Sequence, residues 1–193
     1  MTIKHPERAS NVAILYTIVC AAPPALHIRT LIEQTHQRGW QTCLVLTPAA
    51  AIWLEADLDA MGKITGYPVR SVYKLPGQPD VLPPPAALLV APATANTINK
   101  WAQGISDNLA LGLLTESLGK RLPVVALPYL NQAQAAHPAF APNVETLRGA
   151  GAQILLGPDG YTPHDFGQSR PEQFPWDVAL TAIAAKQAEA APN

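Results

Sequence analysis

The sequence predicts the α/β class: a parallel sheet of about six strands, wound in both directions and covered by helices on both faces. Three observations predict it. Short apolar runs bounded by turn residues recur at Val12–Val19, Thr42–Thr47, Ala87–Ala91, Pro123–Leu127 and Gln153–Leu156, with a weaker sixth at Pro68–Tyr73. Nearly continuous apolar character marks strands buried on both faces. Helical spacing fills the gaps between them, and alternation of strand and helix implies right-handed crossovers in one parallel sheet. Finally, 193 residues suit a single domain with one core. The expected architecture is a three-layer, Rossmann-like, doubly wound single domain.

Each element has its own signal. Ile28, Leu31, Ile32 and Thr35 share a helical face, and the pattern stops at Gly39. A helix is expected over Ala50–Ala60, and another includes Asn143–Gly149. Of the 20 prolines, many fall in 76–85 and 158–175, where missing donors and restricted neighbours predict ordered connectors, the second a flap or loop. A last helix is expected over 176–190, with Trp176, Val178, Leu180 and Ile183 available for packing. Residues 1–10 form a polar N-terminal tail.

Composition excludes several functions. The net charge is −1 with no Lys/Arg run, so the basic footprint of a nucleic-acid binder is missing. No apolar run approaches the length of a membrane span, and the first ten residues do not read as a signal segment. A cytoplasmic protein is expected. Cys20 and Cys43 lie in apolar runs, which suits reduced, buried thiols, and their spacing makes no metal motif. With 48% hydrophobic and only 14% charged residues, some surface is expected to be buried between subunits.

In doubly wound sheets ligands bind beyond the carboxyl ends of the strands. After the third strong run comes Ala91-Pro92-Ala93-Thr94-Ala95-Asn96-Thr97, leading directly into a helical pattern. Small residues let a ligand approach the backbone, and a helix N-terminus offers free N–H groups to an anion. Thr and Asn are also good helix caps, but capping explains one such residue rather than three.

This segment resembles the flavin-contacting motif of the homo-oligomeric flavin-containing cysteine decarboxylases. Gly104-Ile105-Ser106-Asp107-Asn108-Leu109 resembles a second motif, shared with that family and its flavin prenyltransferase relatives. Pro128-Tyr129-Leu130-Asn131, with Pro138 and Asn143, resembles the decarboxylase substrate clamp. The resemblance implies FMN as cofactor, lying at a subunit interface in a trimer or a dodecamer of trimers. It implies cofactor contacts from Ala91, Pro92, Ala93, Thr94, Asn96 and Thr97, from Ala21 and Ala22 after the first strand, and from Thr47 after the second. Thr47 reads equally as a helix cap. His27 is a candidate phosphate contact in a loop lacking the family's glycines, or an exposed histidine at a helix start. Asp107 reads as a structural acid near a helix start.

The implied chemistry is flavin-dependent oxidation and decarboxylation of a cysteine-like or other carboxylate-bearing small molecule or peptide. Asn131 would hold the carboxylate, and Arg170, in the flap, would meet an anionic substrate. The family's catalytic histidine falls near Gln78 here, so its proton-transfer role passes to His137 or Asp80, with His164 a further candidate; Cys20 reads as a residue that reacts with substrate or flavin, or as an inert packing thiol. The family's later Met and Trp of the clamp are Gln134 and Ala135. A non-catalytic FMN-binding or regulatory subunit is therefore the alternative reading, and a flavin prenyltransferase-like protein is another.

Overall fold

A computed structural model describes residues 12–190; the expected tail over 1–10 lies outside the described residues. The chain runs through β1 (Ile14–Val19), a 3-10 turn (Pro23–His27), α1 (Ile28–Gln37) and β2 (Gln41–Leu46). Then come α2 (Pro48–Trp53), α3 (Leu58–Thr65), β3 (Ala87–Ala93), α4 (Ala95–Ala102) and α5 (Leu109–Gly119). β4 (Val124–Pro128), α6 (Gln132–Ala135), α7 (Phe140–Gly149), β5 (Gln153–Ile154) and α8 (Trp176–Ala190) complete it. The strands make one parallel sheet in the order β2-β1-β3-β4-β5. The order reverses between β1 and β3, so a crevice opens there.

Alternation along the strands explains the three layers, because successive side chains point to opposite faces. Leu15, Val19, Leu44, Leu46, Leu89 and Leu127 pack with α1, α3 and α8. Tyr16, Ile18, Val45, Leu88, Val90 and Ala126 face the other way and pack with α4, α5 and α7. Asn143 is buried and joins two of those helices, donating to Asn99 Oδ1 at 2.9 Å and accepting from Gln103 Nε2 at 2.7 Å. Its position in the clamp resemblance thus carries a packing role. No helix among the described residues is long and apolar enough to cross a membrane.

Four expectations need correction. The sheet has five strands: Pro68–Tyr73 contributes only a bridge at Arg70, whose N–H donates to Leu44 O at 3.0 Å and whose carbonyl accepts from Leu46 N at 2.7 Å. Pro68 has no N–H to extend that ladder. The helix expected over Ala50–Ala60 breaks at Leu54 (φ −106°, ψ 12°) and passes through a 3-10 turn, Glu55–Asp57. β3 continues two residues past Ala91, through a cis Ala91–Pro92 peptide, because Ala93 O still accepts from Tyr129 N at 2.9 Å. On α8, Val178 is exposed and Ala179 takes the inward position beside Leu180 and Ile183.

Candidate functional site

Beyond the carboxyl ends of β1, β2 and β3 lies a cleft of about 720 Å3, within the ~300–1,000 Å3 range of small-molecule and cofactor sites. Its floor comes from strand-to-helix junctions. Thr94 caps α4, its Oγ1 accepting from Thr97 N at 3.4 Å, and Asn108 caps α5, its Oδ1 accepting from Leu111 N at 3.1 Å. Thr47 caps α2 by accepting from Ala50 N at 3.4 Å, so the capping role is realised at the cleft's edge. Thr47, Thr94 and Asn108 all line the cleft. The first turn of α4 (Ala95, Asn96 and Thr97) lines this space, and the cap residue of α5 reaches its edge; the N-terminus of α4 favours an anion there.

The expected cofactor contacts divide in two. Ala21, Ala22, Thr47, Thr94, Asn96 and Thr97 line the cleft. Ala91, Pro92 and Ala93 lie in β3 behind it and are buried; Pro92 O accepts from Cys20 N at 3.1 Å and so ties the end of β1 to β3. His27 is exposed and outside the cleft. In the loop after β1, Ala22 N–H is spent on Cys20 O at 2.9 Å and the prolines have none, so Ala21 N–H is the donor left to a ligand.

Behind the floor sits a buried network. Cys20 Sγ–H donates to Thr97 Oγ1 at 3.2 Å, and Thr94 Oγ1–H donates to the same oxygen at 3.2 Å. Burial pushes the Cys20 thiol pKa up, against the smaller opposite pull of the Thr97 hydrogen bond; burial alone raises Cys43 to about 12. Both thiols therefore stay protonated and inert. Dithionitrobenzoate is expected to find no fast-reacting thiol in the folded chain and both cysteines after denaturation; a rapid native reaction would contradict this packing. On the rim, Lys100 pairs with Asp107, and the hydrogen bond from Lys100 chiefly holds that carboxyl below its usual range. Asp107 thus ties the start of α5 to α4 at the cleft rim.

The opposite wall is built by the 158–175 segment folding back on the clamp. Asn131 pairs with His164 in a parallel bridge, and Gln132 N donates to His164 O at 2.9 Å. Asn131 and Gln134 form a capping box: Asn131 Oδ1 accepts from Gln134 N at 2.9 Å, and Gln134 Oε1 from Asn131 N at 3.0 Å. With each oxygen engaged in the box, the NH2 groups remain as the donors of each amide. Asn131, Gln134, Tyr129 and His164 all line the cleft.

The other proton-transfer and substrate candidates lie elsewhere. His137 is exposed, its Nδ1 accepting from Ala139 N at 3.2 Å, and it does not line the cleft. Asp80 is exposed, pairs with Lys74 at 2.7 Å and borders a separate pocket against α5. Gln78 accepts from Leu75 N at 2.9 Å within its own turn. Arg170 is exposed outside the cleft, whereas its neighbour Ser169 lines it and bonds to the Tyr129 hydroxyl. Sequence reasoning missed Lys100 and Gln134. Asn108, inside the second motif, carried the only local signal.

Comparison with known proteins fits this geometry. The family described as Flavoprotein matches residues 3–174. A cysteine/cysteine sulfinic acid decarboxylase from an unknown prokaryotic organism is 46% identical over 67 residues, 35% of this chain and 18% of that protein. The coenzyme A biosynthesis bifunctional protein CoaBC of Bacillus subtilis is 38% identical over 74 residues, 38% of this chain and 18% of that protein. The chain thus spans less than a fifth of either relative. Among solved structures, the FMN-dependent cysteine decarboxylase SpaF superposes with a TM-score of 0.67 at 23% identity, covering 91% of this chain and 97% of that one. AnUbiX (PadA1), in complex with FMN and dimethylallyl pyrophosphate, gives 0.67 at 13% identity, over 91% and 92% of the two chains. Such structures share the fold.

Proposed function

We propose, from the premise that this chain belongs to the flavoprotein family, that it binds FMN in the cleft and decarboxylates a cysteine-like substrate. The observation that carries this reading is the meeting of the α4 and α5 N-termini with Asn131 on one cleft at the switch between β1 and β3. The residues present fit the cofactor. Free first-turn N–H groups of α4 suit a phosphate or another electron-rich edge, and Ala21, Ala22, Ala49 and Ala95 leave room for a flat ring against the backbone. Thr94 and Asn96 add side-chain hydrogen bonds.

Bound flavin supplies the electron sink that converts a Cα–Cβ–S unit to a thioaldehyde, from which carbon dioxide leaves easily. Around it, the NH2 of Asn131 holds the substrate carboxylate, because its own oxygen is occupied by Gln134 N. Exposed Leu26, Ile52, Trp53 and Phe166 sit on segments that border the cleft, which supports burial of its mouth by a second copy in a trimer or a dodecamer of trimers. Contiguous exposed apolar surface marks association sites. Sedimentation giving a monomer with bound flavin would remove that part.

A non-catalytic FMN-binding or regulatory subunit is the second reading, favoured by Gln78 standing where the resemblance puts a base. The purified protein is expected to be yellow, to release FMN by mass spectrometry and to liberate carbon dioxide from a cysteine-terminated peptide. Flavin without carbon dioxide from any cysteinyl substrate would select the second reading. A colourless protein that fails to bind added FMN would overturn both.

A further inference from the structure

We propose that His164, held by Tyr161 against the Asn131 wall of the cleft, is the residue that moves the substrate's thiol proton; this rests on the decarboxylase reading above. Among the described residues, His27, His36 and His137 lie away from the cleft, and His164 is the histidine that lines it. Its position is fixed twice. The backbone is locked beside Asn131 by the bridge and by the 2.9 Å hydrogen bond from Gln132 N. The ring packs on Tyr129 with centroids 5.1 Å apart, and Nδ1 lies 2.5 Å from the Tyr161 hydroxyl.

With Nδ1 engaged by Tyr161, Nε2 is the nitrogen left for a ligand, as a metal- or substrate-facing imidazole is commonly oriented through its other nitrogen. Tyr161 is itself held between Tyr129 at 5.1 Å and Phe174 at 5.8 Å. Burial pushes its hydroxyl pKa up, so it keeps its proton and can donate to Nδ1 or accept from Nδ1–H. That lets Nε2 exist with or without its own proton. Tyr161 is a positioning residue. The charged and titratable groups around this imidazole are Tyr161 at Nδ1, Tyr129 against the ring, and the Lys100–Asp107 pair lining the α4–α5 side of the cleft.

The step balances as follows. As Cβ–H departs as hydride to oxidised flavin, the S–H proton passes to His164 Nε2 and C–S becomes C=S. Breaking Cα–CO2 sends its electron pair through the thiocarbonyl onto sulfur, and Nε2–H returns the proton there. The products are an enethiol, carbon dioxide and reduced flavin, with His164 as it began. Asn131, paired with His164 along the backbone, holds the carboxylate on the same wall.

Two measurements test this. In FMN-loaded protein, His164→Asn is expected to lower kcat for a cysteine-terminated peptide by about 100-fold or more with KM near wild type. Tyr161→Phe should keep KM and lower kcat by a smaller factor. Independently of turnover, the His164 imidazole NMR signal is expected to shift when 3-mercaptopropionate is added to the protein without flavin. Wild-type kcat in folded His164→Asn, or a His164 signal indifferent to the thiol probe, would overturn the proposal. Failure of wild-type protein to bind FMN or release carbon dioxide would instead count against the decarboxylase reading, and the probe titration would still decide whether His164 meets a thiol ligand.

Discussion

Replacing Thr94 and Asn96 together by alanine is expected to weaken FMN binding roughly 100-fold, since two lost hydrogen bonds at about 1–1.5 kcal/mol each multiply at tenfold per 1.4 kcal/mol. Both residues line the cleft, and Asn96 is exposed to it. Thr94 also caps α4, so the helix N-terminus itself loosens, and global stability should fall by about 1 kcal/mol. The β1–β3 core beneath keeps Ile98 and Trp101 seated, so the fold survives the change. Flavin fluorescence titration gives the affinity, and urea unfolding gives the stability. A double variant that binds FMN as tightly as wild type would refute the assignment of this segment while leaving the fold untouched.

Gly160→Ala is expected to destabilise the protein by about 1–3 kcal/mol, in the range of overpacking, and to disable the His164 wall. A Cβ at 160 would lie 2.3 Å from Leu155 O and 2.4 Å from its carbonyl carbon. That obstacle is backbone, so no side chain can rotate away. The turn is tied by Gly160 N to Gly157 O at 3.1 Å, Tyr161 N to Leu155 O at 3.0 Å and Gly157 N to Tyr161 O at 3.1 Å. Relieving the clash must displace Tyr161, which carries the 2.5 Å hydrogen bond to His164. The measurable result is a lower urea midpoint together with a displaced His164 imidazole NMR signal. By contrast, Gly112→Ala meets the Tyr73 hydroxyl at 1.9 Å, the far end of an exposed side chain, and should cost little. Equal stability of wild type and Gly160→Ala would contradict the tight turn.

The corrected elements show where local pattern stops being informative. Pro68–Tyr73 has strand-like composition, yet a strand needs a partner along its length, and Pro68 removes a donor at the start. Only Arg70 finds the edge of β2. Likewise, Val178 and Ala179 are both apolar and adjacent on α8, and their inward and outward orientation depends on the rotation with which that helix docks. Asp80 and His137 are reasonable acids and bases by type. Asp80 belongs to a strap drawn away over α5, where Tyr73 donates to Asn108 O at 3.1 Å and Tyr16 to Pro83 O at 2.8 Å.

The sequence by itself determined the alternation of buried strands and helices, and with it the crevice beyond their carboxyl ends. It also determined the capped junctions at Thr47 and Thr94, because capping and small-residue turns act over a few neighbouring residues. Only the tertiary structure decided which polar side chains meet in the cleft. His164 reaches Asn131 through a backbone bridge between distant segments, and Gln134, its oxygen held in the capping box, lines the same cleft. Such pairings depend on how a proline-rich loop folds back over the sheet, and no local periodicity encodes that path.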